Sequence, residues 1–413
     1  MNSPKTPPAH VPMDQFRVEH GELLVGGIPL TRLAARVGST PFYAYDRQLL
    51  DARVGELRAA LPTAVKLHYA IKANPMPALV GHMAGLVDGL DVASAGELAV
   101  ALDTGMSPHD ISFAGPGKRV EELRQAVAAG VLINAESPSE IEALAAVAES
   151  TGWTPRIALR VNPDFELKSS GMRMGGGPKQ FGIDAEQIPA VIQRTETLGL
   201  HIEGFHLFAG SQNLQAEAIV EAQRNCFDLA RRLADHVSTP IRMLNLGGGI
   251  GIPYFPGNER VDLAPIGANL ARIADEAATV FPQAELCIEL GRFLVGEAGI
   301  YVCRVLDRKE SRGQVFLVTD GGLHHHLSAS GNFGQVIRKN YPVAIGNRMS
   351  DTELELANVV GPLCTPLDIL GDRMLLPKAR PGDLVVVYQS GAYGATASPQ
   401  RFLGHPAVTE VLV

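Results

Sequence analysis

From residue 66 onward the chain alternates between two textures. Short apolar or β-branched segments recur at KLHYAIK (66–72), GLDVAS (89–94), DISFAG (110–115), VLINAE (131–136), RIALRVN (156–162), HIEGFHLF (201–208), RMLNLGG (242–248) and LCIELG (286–291). The stretches between them repeat their apolar positions at helical spacing. Ser94 with Glu97, and Ser137 with Pro138 and Glu140, predict capping boxes at two helix entrances. Residues 215–237 are long enough for about six helical turns, and 46–61 predict a further helix capped by Asp46.

Eight strands separated by helices predict an α/β fold, a (β/α)8 TIM barrel, over residues 40–295. An open doubly wound sheet uses the same alternation. Its dinucleotide-binding form places GxGxxG directly after the first strand, and none stands there. After residue 298 the pattern changes to strand-like pieces at 298–310, 313–322, 342–346, 354–361, 382–393 and 407–413, joined by Gly/Pro turns. They predict a second, mostly β C-terminal domain over 296–413. Residues 1–39 read as a ragged arm followed by a strand-like piece at 21–30, which can join the β domain and make it discontinuous.

Composition then narrows the class. The chain has 413 residues, 46% of them hydrophobic, which suits two or three domains. Its net charge of −8 argues against a nucleic-acid partner, because backbone binding needs clustered positive charge. No run of apolar residues is long enough for a membrane span. Cys226, Cys287, Cys303 and Cys364 lie far apart without a CxxC, which predicts neither a disulfide scaffold nor a metal site. A cytoplasmic protein fits that pattern, as does the polar, Pro-rich N-terminus, which lacks the signature of a signal peptide.

Active sites of TIM barrels lie at the carboxyl ends of the strands. There this sequence places Lys72, Asp91 with Ser94, Arg160 with Asn162, Phe208 with Ser211, Gly247–Gly249, and Glu289 with Arg292. A lysine ending an apolar strand is costly unless it is used or paired. Three successive glycines expose backbone N–H groups to an anion, although a tight turn needs the same residues. Arg292, just beyond Gly291, could add a counter-charge for a phosphate or lie on the surface. Lysine, phosphate cradle and strand-end carboxylate together suggest pyridoxal 5′-phosphate. Lys72 would form a Schiff base, and Glu289 would keep the pyridine nitrogen protonated.

Several short motifs now stand in order: YAIKAN (69–74), DVASAGE (91–97), GSQ (210–212), LNLGGG (244–249), ELGR (289–292), GPLC (361–364) followed by Asp368, and SGAYG (390–394). With them the chain resembles the fold type III pyridoxal-phosphate decarboxylases, the group of diaminopimelate, ornithine and arginine decarboxylases with an alanine-racemase-like barrel. Within the group it is most similar to the subgroup associated with exosortase A systems. The resemblance implies a carboxy-lyase acting on an amino acid or a related amine-bearing carboxylate. It assigns Ser211, Gly248, Gly249, Arg292 and Tyr393 to the phosphate, Asp91, Glu97 and Arg160 to the surroundings of the ring, and Gly291 to the cofactor site. Cys364 would enter the partner subunit's site and help protonate the product carbanion, so a homodimer with composite sites is implied. Diaminopimelate decarboxylase proper, a racemase and a non-catalytic cofactor-binding homologue remain alternatives. Glu289 argues against the racemase, whose sites usually present an arginine to the ring nitrogen. Glu97 could do no more than close its capping box, and Cys364 could be a small packed hydrophobe.

The sequence also departs from the family pattern. FAGSQ puts Phe208 where a histidine normally stacks on the ring. His206, two residues upstream, shares its face if the strand alternates regularly and could partly compensate, or be an ordinary packed histidine. After Cys364 come Thr365 and Pro366, where the family carries an acidic residue that meets a distal amine. The segment 321–334 holds His324, His325 and His326 but no arginine before Arg338. Three consecutive histidines cannot all face one way on a strand, so they predict no metal site. Thr365, Asp368, His324, His326 and Arg338 are the candidates to meet the far end of a substrate.

Overall fold

Each of the eight barrel segments forms a strand: β1 Val65–Ala70, β2 Gly89–Val92, β3 Ile111–Phe113, β4 Leu132–Ala135, β5 Arg156–Asn162, β6 Ile202–Leu207, β7 Met243–Gly248 and β8 Glu285–Leu290. In the computed structural model, which describes residues 9–165, 172–173 and 175–413, they pair in parallel in sequence order. β8 then returns to β1 and closes the ring. Parallel strands covered on both faces read as near-continuous apolar runs, and these do.

The helix entrances follow the caps. Ser94 Oγ accepts from the Glu97 N–H, and Ser137 Oγ accepts from the Glu140 N–H, with Pro138 in the first turn. Asp46 Oδ1 accepts from the Gln48 N–H at 2.9 Å and starts the helix Arg47–Ala60. The long helix Ala216–Ala234 lies between β6 and β7. Among the described residues no helix is long and apolar enough to cross a membrane.

The chain divides into two units. The barrel unit takes Arg53–Ile252 and Val261–Phe293. The other takes the chain through Ala52, Pro253–Arg260 and Leu294–Val413, and is mostly β. Its spine is the long strand Gly299–Ser311, which pairs with Gln314–Thr319, Leu384–Val387 and Phe42–Tyr45. Phe42–Tyr45 pairs in turn with the C-terminal strand Thr409–Leu412. The strand Ile369–Pro377 escapes the sequence pattern because Gly371, Asp372 and Arg373 interrupt it. The register against Leu354–Val360 shifts there, and Arg373 has a φ of 47°. Residues 22–25 pair into a small separate sheet. They join the β unit by packing Leu23 and Val25 on Ile300, Val302, Leu384 and Val386.

Candidate active site

Every barrel strand buries a polar side chain. From β1 to β8 these are His68, Asp91, Ser112, Asn134, Arg160, His206, Asn245 and Glu289, each at most 6% exposed. Barrel interiors are ordinarily filled by branched apolar side chains. A buried polar group without a partner costs ~1–3 kcal/mol, so a polar residue on every strand asks for a reason.

The hydrogen bonds supply part of it. Asn245 Nδ2 donates to Glu289 Oε2 at 3.2 Å. His206 Nε2 approaches the same oxygen to 3.1 Å as an ion-pair contact rather than an aligned hydrogen bond. Burial pushes the Glu289 carboxyl up, but the charges of His206, Lys72 and Arg160 overcome it and hold the group well below the usual carboxylate range. Glu289 is therefore a buried carboxylate that stays ionised.

Lys72 lies in the 3-10 turn Ile71–Ala73, immediately after β1. Its Nζ is 5.7 Å from the centroid of the Phe208 ring, and Arg160 Cζ is 5.9 Å from the same ring. Two cations thus face one buried phenyl group. Arg160 Nη1 donates to Glu136 Oε1 at 3.1 Å, and Glu136 also accepts from the Gly115 and Gly182 N–H groups. Asp91 Oδ1 accepts from Ser112 Oγ at 2.5 Å and lies 3.2 Å from His68 Nδ1. Glu97 closes its cap, with Oε2 accepting from the Ala93 N–H. Burial raises its carboxyl, against the pull of that N–H and of the Lys72 charge.

The glycine turn is sterically required. A Cβ at Gly248 would collide with the Glu289 carbonyl, and one at Gly249 (φ 83°) with the Gly210 carbonyl. The Asn213 N–H donates to the Gly249 carbonyl, and Gln212 clamps Ile252 through both of its amide atoms. Ser211 lies in the short strand Gly210–Ser211, paired with Met172–Arg173. A Cβ at Gly291 would come within 2.8 Å of Ala73 Cβ, so the turn after β8 rests against the turn that carries Lys72. Arg292 opens the short helix that follows.

In the β unit, Cys364 presents an exposed thiol. Asp368 accepts from the Leu363 N–H at 2.9 Å and the Leu323 N–H at 2.6 Å, tying the cysteine loop to the histidine loop. Burial raises its carboxyl despite those two donors. Thr365 Oγ1 accepts from the Leu367 N–H. His326 has both ring nitrogens occupied, by Ser390 Oγ and the Ala329 N–H, and burial pushes it down to about 3. His325 lies between Tyr301 Oη and the Pro406 carbonyl. Arg338 donates to the Ser330 and Ile369 carbonyls and to Asn340. His326, Arg338 and Asp368, expected to meet a substrate, hence have polar groups engaged inside the fold. His324 is buried beside His325, with neither ring nitrogen hydrogen-bonded. Tyr393 is half-buried with a φ of 52°, and its carbonyl accepts from Ser328 Oγ.

Sequence reasoning passed over His68, Ser112, Asn134, Glu136 and Asn245. The only available signal was a single polar residue inside each apolar strand or at its end.

The family description "Pyridoxal-dependent decarboxylase, pyridoxal binding domain" matches residues 47–296. The chain is 40% identical over 389 residues to the L-glutamyl-(BtrI acyl-carrier protein) decarboxylase of Niallia circulans, covering 93% of this chain and 90% of that protein. It is 32% identical over 396 residues to the diaminopimelate decarboxylase of Aquifex aeolicus, covering 95% and 91%. Further diaminopimelate decarboxylases match at 28–34% identity. The crystal structure of the Helicobacter pylori diaminopimelate decarboxylase complexed with L-lysine superposes with a TM-score of 0.81 at 26% identity, covering 93% of this chain and 94% of that one.

Proposed function

The chain belongs to the fold type III pyridoxal-phosphate decarboxylases, carboxy-lyases of amino-acid-like substrates, and we propose that Lys72 and Glu289 are the centre of that chemistry here. The observation that carries the reading is the buried Glu289 carboxylate, ionised among His206, Lys72 and Arg160. The donor set fits pyridoxal phosphate: a lysine at a strand end, an ionised carboxylate for the ring nitrogen, and a glycine turn for the phosphate. The buried Asp91 Oδ2, which has no hydrogen-bond partner, fits as well. When bound, the cofactor supplies an electron sink for the charge left at the α-carbon as CO2 departs.

In this reading Lys72 holds the cofactor covalently. Ser211, Gly248, Gly249, Arg292 and Tyr393 grip its phosphate, and Gly291 lines the cofactor site. Glu289 keeps the ring nitrogen protonated, and His206 with Asn245 keeps Glu289 in place. Phe208 supplies a flat apolar face, and Asp91, Glu97 and Arg160 border the ring. Cys364 returns a proton from Sγ to the carbon that lost its carboxylate. Its exposure in a single chain, with Phe333, Val336, Ile337 and Leu367 also exposed, supports a homodimer in which Cys364 serves the partner's site. The narrower likeness to the exosortase A-associated subgroup is part of this proposal and rests on the sequence resemblance alone.

Among substrates, the relatives weigh toward diaminopimelate more than toward an unspecified amino acid. A second reading is favoured by Thr365, which offers no charge to a distal ammonium. It is a substrate whose far end is neutral or acylated, as a glutamyl group on a carrier protein would be. The test is CO2 release from cofactor-loaded protein given diaminopimelate, ornithine, glutamate and a glutamyl thioester. Release from none of them would overturn both substrate readings, and otherwise the order of kcat/KM separates the two.

A further inference from the structure

His68 stands between the two buried carboxylates of the barrel. On β1 it pairs in register with Glu289 of β8 on one side and Gly89 of β2 on the other. Its Nδ1 lies 3.2 Å from Asp91 Oδ1, and both side chains are nine-tenths or more buried. The same oxygen accepts from Ser112 Oγ at 2.5 Å, and Ser112 Oγ accepts from Asn134 Nδ2 at 3.1 Å. The two flanking strands therefore fix one oxygen of Asp91, through His68 of β1 and Ser112 of β3, and Asn134 of β4 holds Ser112 in turn. The other, Oδ2, is buried and has no hydrogen-bond partner. A carboxylate with one oxygen held from both neighbouring strands and the other left unpaired is an aimed acceptor, since an unmet buried charge-bearing atom is otherwise costly.

The position of His68 is itself built in. A Cβ at Gly89 would come within 2.5 Å of His68 Nε2 and 2.7 Å of the Asp110 carbonyl, so only glycine leaves room for the ring. The charged groups around His68 are Asp91 and Asp88 from the β2 side and Glu289 from β8. Burial lowers the imidazole, but these carboxylates, Asp91 foremost, outweigh it and raise the group from its ordinary value.

We propose that His68 is a positioning residue of the active site, which orients Asp91 so that Oδ2 receives a hydrogen-bond donor of the bound cofactor or substrate. The inference rests on the pyridoxal-phosphate decarboxylase reading. His68 acts through Asp91 and touches no reacting atom.

The test uses the cofactor-loaded enzyme as wild type, His68→Leu, His68→Gln, Asp91→Asn and the His68→Leu/Asp91→Asn double variant. Two readouts are compared: the pH titration of the cofactor's visible band, and kcat separately from KM, both per bound cofactor. His68→Leu should move the titration midpoint by about one pH unit and lower kcat ~10-fold or more, with KM little changed. His68→Gln can still donate to Asp91 and should recover kcat in part while keeping the altered titration. In the Asp91→Asn background, His68→Leu should add nothing to either readout. A His68→Leu enzyme that is less heat-stable but has the wild-type midpoint and kcat would overturn the proposal. So would a full His68→Leu effect in the Asp91→Asn background. Should His68→Leu fail to fold, a wild-type titration in His68→Gln would overturn it equally. Loss of CO2 release or cofactor binding in the wild type would strike the underlying reading instead, so the two failures are distinguishable.

Discussion

His206 Nε2 lies 3.1 Å from Glu289 Oε2, on strands separated by β7, with both side chains buried. The histidine two residues before Phe208 therefore faces the carboxylate, and its ring meets Phe208 only edge-on at 6.5 Å. Phe208 offers the flat face at the strand end, and His206 secures the charge beneath it.

Glu289→Gln should lower kcat ~100-fold or more, in the range seen when a preorganised electrostatic partner is removed. It should also destabilise the fold by ~3–5 kcal/mol, because the positive side of a buried pair is left uncompensated. The folded carboxyl lies below its unfolded value, so the stabilisation is fully present above about pH 4.3, the ordinary glutamate value. It is lost as pH falls toward the depressed folded value. The Tm difference between wild type and Glu289→Gln should be constant above about pH 5 and shrink only in stronger acid. A gap that closes between neutral pH and pH 5 would contradict an ionised Glu289.

Lys72→Ala and Cys364→Ala should each be inactive as homodimers and complement each other. Mixed under exchange conditions, they should recover about a quarter of wild-type activity, since half the dimers are mixed and each mixed dimer keeps one intact site. No recovery with exchange confirmed would place Cys364 and Lys72 of one chain in the same site. A fully active Cys364→Ala would leave the thiol structural.

Thr365→Asp should shift specificity toward substrates that end in an ammonium. A charge-assisted contact to a desolvated amine is worth ~2 kcal/mol or more, or about 30-fold in kcat/KM. The measurement is the ratio of ornithine or diaminopimelate to a glutamyl thioester, before and after substitution. An unchanged ratio would mean that residue 365 does not face the distal group.

Much of the barrel is legible in the sequence because each strand is an apolar run between helical stretches. The turns that carry Lys72, Gly248–Gly249 and Glu289–Arg292 fall where those runs stop. Phe42–Tyr45 is hidden by its place before the barrel, since nothing local says that FYAY pairs with residues 299–302. Ile369–Pro377 is hidden by the polar interruption at its bulge. The buried polar side chains are hidden for a different reason. One histidine in KLHYAIK or one asparagine in VLINAE looks like ordinary variation until barrel closure brings neighbouring strands together. The histidine trio illustrates the converse: a conspicuous run of side chains is packed into the β unit, with His326 fully hydrogen-bonded there.

If Lys72 holds pyridoxal phosphate in a site whose ring-nitrogen partner is an ionised Glu289, the bound cofactor reports it directly. The purified, cofactor-loaded protein should absorb at ~410–430 nm, as lysine-bound pyridoxal phosphate does. Borohydride reduction followed by peptide mass analysis should place the adduct on the peptide that contains YAIKAN, at Lys72. An adduct on any other lysine, or none after reconstitution with the cofactor, would contradict it.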